Sequence, residues 1–259
     1  GWTRWVFRDF QWMIPAGDYP CSKNDHKLDP IGNNVIRNKQ SDSANVIIFP
    51  DQSPNQILNG YAKGSMPDEY TGGVGKEGVE NLKRFVESGG TLVFLNRSSD
   101  FAIEQFKLPI KDITRGPARK DFFIPGSILR TELDLTHPIA KGMPAQSIAW
   151  FENSPVFEIV GDSQQSEPPA LAGSQSAGAT NWTAANAAGS DIRIIARYPS
   201  NPKDILLSGW ALGAEKIAGK AALIEVTMGK GKIILFGFRP QYRGQSLATF
   251  PLLFNAISN

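Results

Sequence analysis

The sequence predicts an α/β sandwich in one domain spanning residues 1–259, with a parallel central sheet and a β-rich antiparallel extension. Three observations predict it. Between residues 46 and 106 the chain reads strand, helix, strand, helix, the order that builds a parallel sheet with helices on its faces. After residue 125 it becomes a series of short alternating apolar runs, as antiparallel pairs require. The turn MGKGK at 228–232 separates the last two of these runs as a hairpin would.

Taken in order, GWTRWVFRDFQW places Trp2, Trp5, Val6 and Phe10 at helical spacing with one apolar face. A polar Pro- and Asn-rich stretch, residues 15–44, follows and holds Cys21 and His26. NVIIFPDQ reads as a short buried strand stopped by Pro50, and residues 51–75 read as loop. KEGVENLKRFVES is the clearest helix, with Val79, Leu82, Phe85 and Val86 on one side and Gly89-Gly90 as its stop. TLVFLN is a second buried strand, and DFAIEQF a short helix ended before Pro109. The later candidate strands are SILRTEL, SIAWF, VFEIV, IRIIARY, ILLSG, AALIEV and KIILFGF, and TFPLLFNAI is a closing helix. Residues 161–190 are small and polar with almost no core formers, which predicts a long, exposed, flexible loop.

Composition narrows the function classes. Hydrophobic residues make up 41% and charged residues 20%, enough for a packed core. Lys plus Arg is 27 against 25 for Asp plus Glu, so nothing favours nucleic acid as a partner. No run approaches the ~18 apolar residues of a membrane span. The first residue is Gly1, without a leader pattern, which predicts a removed leader or a piece of a longer polypeptide. Cys21 is the single cysteine, so an internal disulfide and most metal clusters are excluded.

Gly73-Val74-Gly75-Lys76-Glu77-Gly78 fits the dinucleotide-binding pattern letter for letter. That pattern works when a strand delivers pyrophosphate to a helix N-terminus, and SMPDEYTG before it is no strand. These glycines read instead as the entry to a helix. Ser98 stands in a strand-to-helix turn where hydrolases carry a nucleophile, but its neighbours two positions away are Asn96 and Asp100 rather than glycine. A serine nucleophile needs a base, and His137 is the candidate, with His26 in the polar stretch. The alternative is that Ser98, Ser99 or Asp100 caps the helix behind it. No histidine belongs to an H-x-x-E or H-E-x-x-H zinc pattern, and Cys21 reads as an inert thiol. Asn96-Arg97-Ser98 and Asn181-Trp182-Thr183 match the glycosylation triplet, the second the better placed.

Ligands in open α/β sheets collect where strand carboxyl ends meet helix N-termini. Those ends hold Asp51 and Gln52, then Asn96, Arg97 and Ser98, then Arg239, Gln241 and Arg243. This set suits a small anion or a carboxylate, or else ties loops together through backbone carbonyls. Of the six tryptophans, Trp182 is the one expected to be exposed, as part of a carbohydrate- or protein-binding surface.

GWTRWVF, VIIFPDQ, GGVGKEGVENLKRFVESGGTLVFLNRSSDFAIE, HPIAKGMP, LLSGWALG and GKGKIILFGFRPQYRGQ together cover nearly the whole chain. They resemble the region that follows the catalytic domain in bacterial exported zinc carboxypeptidases of the carboxypeptidase A type. That region is similar to the class I glutamine amidotransferase fold, a flavodoxin-like sandwich. The resemblance implies that Ser98 occupies the place of the amidotransferase cysteine, while the later His-x-Glu has no counterpart here. It also implies that zinc and peptidase chemistry belong to a domain absent from this chain. The expectation is a secreted or periplasmic accessory domain, with a peptidase domain of the same polypeptide or another protein as its partner. A serine hydrolase or amidase using Ser98 and His137 is the competing expectation.

Overall fold

A computed structural model describes residues 2–9, 32–38, 44–68, 71–160, 182–185 and 191–258. Helices α1 (Trp2–Asp9) and α2 (Asn33–Arg37) precede strand β1 (Val46–Phe49). Helices α3 (Pro54–Asn59) and α4 (Gly75–Glu87) lead to β2 (Thr91–Leu95), followed by α5 (Ser98–Phe106). Then come β3 (Ile110–Asp112), β4 (Ser127–Leu133), β5 (Gln146–Phe151), β6 (Phe157–Ile159), β7 (Thr183–Ala185) and β8 (Asp191–Arg197). The chain continues through β9 (Leu206–Ser208), β10 (Ala221–Met228) and β11 (Gly231–Phe236) to α6 (Phe250–Ser258).

Among the described residues, all eleven strands join one curled, mixed sheet whose main path runs β1-β2-β11-β10-β8-β4-β5. Only β1 with β2 and β2 with β11 pair in parallel; β10, β8, β4 and β5 run antiparallel to their neighbours. The expected parallel centre is therefore a three-strand group at one end of an otherwise antiparallel sheet. A parallel pair needs a crossover of about a dozen residues or more, usually a helix. The chain supplies one between β1 and β2, but the two-residue turn at Gly229-Lys230 sends β11 straight back along β10.

Apolar side chains fill both faces of this sheet. On one, Val93, Leu95, Ile234 and Phe236 pack with Val6 and Phe7 of α1 and with Leu252, Leu253 and Phe254 of α6. On the other, Leu92, Phe94, Ile233 and Leu235 pack with Val79, Leu82 and Val86 of α4 and Phe101 of α5. Because successive strand residues point to opposite faces, a strand covered on both sides must be apolar throughout. The fully buried run TLVFL of β2 is the outcome.

Four stretches differ from the sequence reading: α2 forms inside the polar stretch 15–44, β3 forms where no strand is expected, and the other two lie at 51–75 and 161–190. Residues 51–75 contain α3, started by a capping box in which the Ser53 hydroxyl accepts from the Gln56 amide and Gln56 reaches back to Ser53. Within 161–190, Thr183 to Ala185 is not loop: β7 pairs with β8 there. Apart from Trp182, the rest of that segment, Cys21 and His26 lie outside the described residues.

The glycine pattern at 73–78 has packing reasons. A Cβ on Gly73 would sit 2.4 Å from the Leu58 carbonyl of α3, and one on Gly78 would press Val74 and then Ile36 of α2. Gly75 adopts φ +63, which only glycine takes without strain. These residues bring α2, α3 and α4 together.

Candidate functional site

The parallel trio sets the carboxyl ends of β1, β2 and β11 side by side, and the next residues of each meet there. Asp51 follows β1, Asn96 and Arg97 follow β2, and Arg239 follows β11. Arg97 Nε donates to Asp51 Oδ1 at 2.9 Å, and Arg239 Nε donates to Asp51 Oδ2 at 2.7 Å. The segment crossing the strand ends from β5 to β6 adds Glu152, whose carboxylate accepts from Arg239 Nη1 at 2.8 Å and whose carbonyl accepts from Nη2 at 3.1 Å. The same segment adds Ser154, which donates to Asn96 Oδ1 at 2.7 Å.

Both carboxyls are held in the charged form. Burial pushes Asp51 up, but the Arg97 hydrogen bond and the charges of Arg239 and Arg97 outweigh it and leave it below the usual range. The hydrogen bond from Arg239 lowers Glu152. Arg239 thus has all three nitrogens engaged, a tie between three loops. Arg97 does not: its side chain is 43% exposed, and among the described residues only its Nε is engaged.

Around this network the backbone is unusual. Asn96, Asn153 and Arg243 adopt φ of +57, +50 and +48, three of the four non-glycine residues in that region among those described. Asn96 is fully buried, and its Nδ2 makes no well-formed hydrogen bond, although it lies near enough to Asp51 to help lower that carboxyl. Tyr242 stacks on Trp150 with centroids 4.4 Å apart, and the guanidiniums of Arg239 and Arg243 approach its ring at 5.4 and 5.2 Å.

The other sequence candidates are placed as follows. Gln52 is exposed beside Asp51. Gln241 is buried and donates to Thr3 Oγ1 at 2.8 Å, anchoring α1. Ser98 is fully buried: its hydroxyl accepts from the Leu95 amide at 2.8 Å and points to the carbonyls of Leu95 (2.9 Å) and Phe49 (3.1 Å). This replaces the expected helix cap, since the α5 N-cap position is Arg97 without a side-chain bond. Ser99 donates to the Phe236 carbonyl at 3.0 Å, stitching α5 to β11. His137 is buried on the α6 side, where Nδ1 accepts from the Ile139 amide and Nε2 lies 3.5 Å from Glu225. Its turn is fixed by Asn255 of α6, which donates to Ile139 and Lys141 carbonyls at 2.9 Å each. Ser98 opens a helix on the opposite face, so the sheet separates the two.

Burial also removes Asn96 as a glycosylation acceptor, and Asn181 lies outside the described residues. Among the described residues no group of three His, Cys, Asp or Glu could hold a metal ion, and no helix is long and apolar enough to cross a membrane. Among the tryptophans whose burial is described, the exposed one is Trp210, at 63%, rather than Trp182, which the Arg197 guanidinium covers at 3.8 Å. Glu152, Ser154, Trp150 and Tyr242 were missed by sequence; a polar residue directly after a candidate strand, as in WFENS, was the available signal.

No protein-family model and no curated protein matches the chain. Similar solved structures include a cytoplasmic protein from Salmonella typhimurium, with 12% identity, TM-score 0.48, and coverage of 89% of this chain and 79% of that one. A Thermoplasma acidophilum protein provisionally described as belonging to GMP synthase gives 10%, 0.45, 88% and 78%. A Bacteroides uniformis protein provisionally described as ThuA-like gives 16%, 0.37, 82% and 67%. Such values carry no inference about chemistry.

Proposed function

We propose that this chain is a non-catalytic accessory domain, acting by interaction, of an exported zinc metallocarboxypeptidase-like protein whose peptidase domain lies outside this sequence. The observation that carries the non-catalytic part is the state of Ser98. A nucleophile must reach substrate and pass its proton to a base. The Ser98 hydroxyl is enclosed and bound to backbone groups, and His137 is engaged on the other face of the sheet. The association with a zinc carboxypeptidase is supported by the sequence resemblance alone.

A fluorophosphonate probe tests the first part. Folded protein is expected to remain unlabelled; labelling that disappears in Ser98→Ala would establish a serine hydrolase instead. The reading frame upstream of Gly1 tests the second. A zinc domain with an H-x-x-E motif there supports the assignment, and a frame without one overturns it.

One further observation favours an interaction role. Leu206, Leu207, Trp210 and Leu212 stand 38%, 42%, 63% and 40% exposed within seven positions. Exposed large apolar residues with an aromatic among them are a feature of protein-binding surfaces. We assign these residues to contact with the peptidase domain. Trp210→Ala is expected to weaken that association at least tenfold in a binding titration without lowering the thermal midpoint.

A further inference from the structure

We infer that the strand ends bind a carboxylate through the terminal nitrogens of Arg97, with Arg243 adding a second positive charge at the rim; the inference rests on the reading that this chain binds rather than cleaves. Arg97, Arg239 and Arg243 face Asp51 and Glu152, three cations against two anions, and both carboxyls are held ionised. One positive charge is left over, which a monoanion neutralises and a phosphate dianion would overshoot.

The surplus sits where a ligand can reach it. Arg239 has all three nitrogens engaged, by Asp51 and Glu152. Arg97 is held by Nε to Asp51, which fixes the plane of its guanidinium and leaves the Nη1–Nη2 edge unbonded among the described residues. That edge is the fork that meets the two oxygens of a carboxylate. Arg243 is exposed, its guanidinium approaches the Tyr242 ring, and its charge acts on Glu152 without a direct ion pair among the described residues.

Two further observations point to the same place. Asn96, directly before Arg97 at the end of β2, is fully buried and its Nδ2 lacks a well-formed hydrogen bond, which folds rarely retain without use. Asn96, Asn153 and Arg243 also hold left-handed backbone here, and such strain clusters at binding and catalytic sites.

Calorimetric titration of the whole chain with N-acetylphenylalanine and with its amide tests the inference, since the two differ in the carboxylate alone. Saturable binding of the acid with none of the amide is expected. Arg97→Lys keeps the charge and loses the fork, so affinity should fall at least fivefold; exposed Arg243→Gln should lower it severalfold. Inorganic phosphate should compete poorly. No saturable binding of the acid, equal binding of acid and amide, phosphate binding as tightly as the acid, or an affinity unchanged in Arg97→Lys would each overturn it. Hydrolysis of the amide during titration would instead overturn the non-catalytic reading, so the two failures are distinguishable.

Discussion

Arg239 shows how a single side chain can hold a site together without being free to act in it. Its guanidinium bridges Asp51 and Glu152, is the main cause of the low position of Glu152 and joins Arg97 in lowering Asp51. Removing it takes the ion-pair partner from Glu152 and leaves Asp51 with Arg97 alone. Arg239→Ala is expected to cost roughly 2–3 kcal/mol, less than a fully buried pair because Glu152 is about a third exposed. The same pair gives the wild type a stability that is present above pH ~4 and lost as acid protonates the folded carboxyls. Thermal midpoints measured from pH 7 to pH 3 should fall in the wild type and fall less in the variant. Asp100 behaves in the opposite sense. Burial first, and then the neighbouring Asp112 carboxylate, push it up to about 7 despite Arg115 at 2.5 Å. The folded state then keeps a proton that the unfolded chain releases near pH ~4, so this group's contribution declines as pH rises from ~4 to 7. Asp100→Asn should flatten that decline and exceed the wild type in thermal midpoint at pH 8; an unchanged profile would refute the assignment.

Among the elements, the small caps decide what was legible. Ser53 and Gln56 satisfy the free amides of α3, and Ser53→Ala should cost ~1 kcal/mol, read as a lowered denaturant midpoint. The serine, proline and glutamine of that capping box stood in the sequence, but a six-residue helix offers too little periodicity to be told from loop. By contrast α4, β2, β8, β10, β11 and α6 were legible because each covers an apolar surface, and burial writes its period into the chain. Half of the site was legible for a related reason: Asp51, Asn96, Arg97 and Arg239 directly follow strands or nearly so. Glu152, Ser154 and Tyr242 were not, since their arrival depends on a segment crossing between β5 and β6 and on a left-handed turn at Arg243. No local pattern encodes either. The parallel centre was overestimated because apolar runs report burial on both faces and not strand direction.

Across the whole molecule, β2 is the pivot. It is the strand that pairs in parallel on both sides, with β1 at Val46–Phe49 and with β11 at Lys232–Phe236. Its first partner is local and its second comes from near the other end of the chain. A polypeptide stopped after Met228 keeps ten of the eleven strands yet lacks the one that links the parallel trio to the antiparallel array. It is expected to show no cooperative thermal transition by circular dichroism; a sharp transition would mean the two halves fold separately. The same topology sets a schedule during biosynthesis. A ribosome adding about 5–20 residues per second takes on the order of ten seconds to travel from β2 to β11. For that interval the greasy edge TLVFL waits half-paired outside the exit tunnel, open to any other strand in the cell. Extra chaperone that binds nascent chains should therefore raise soluble yield, by shielding one five-residue edge until its late partner emerges.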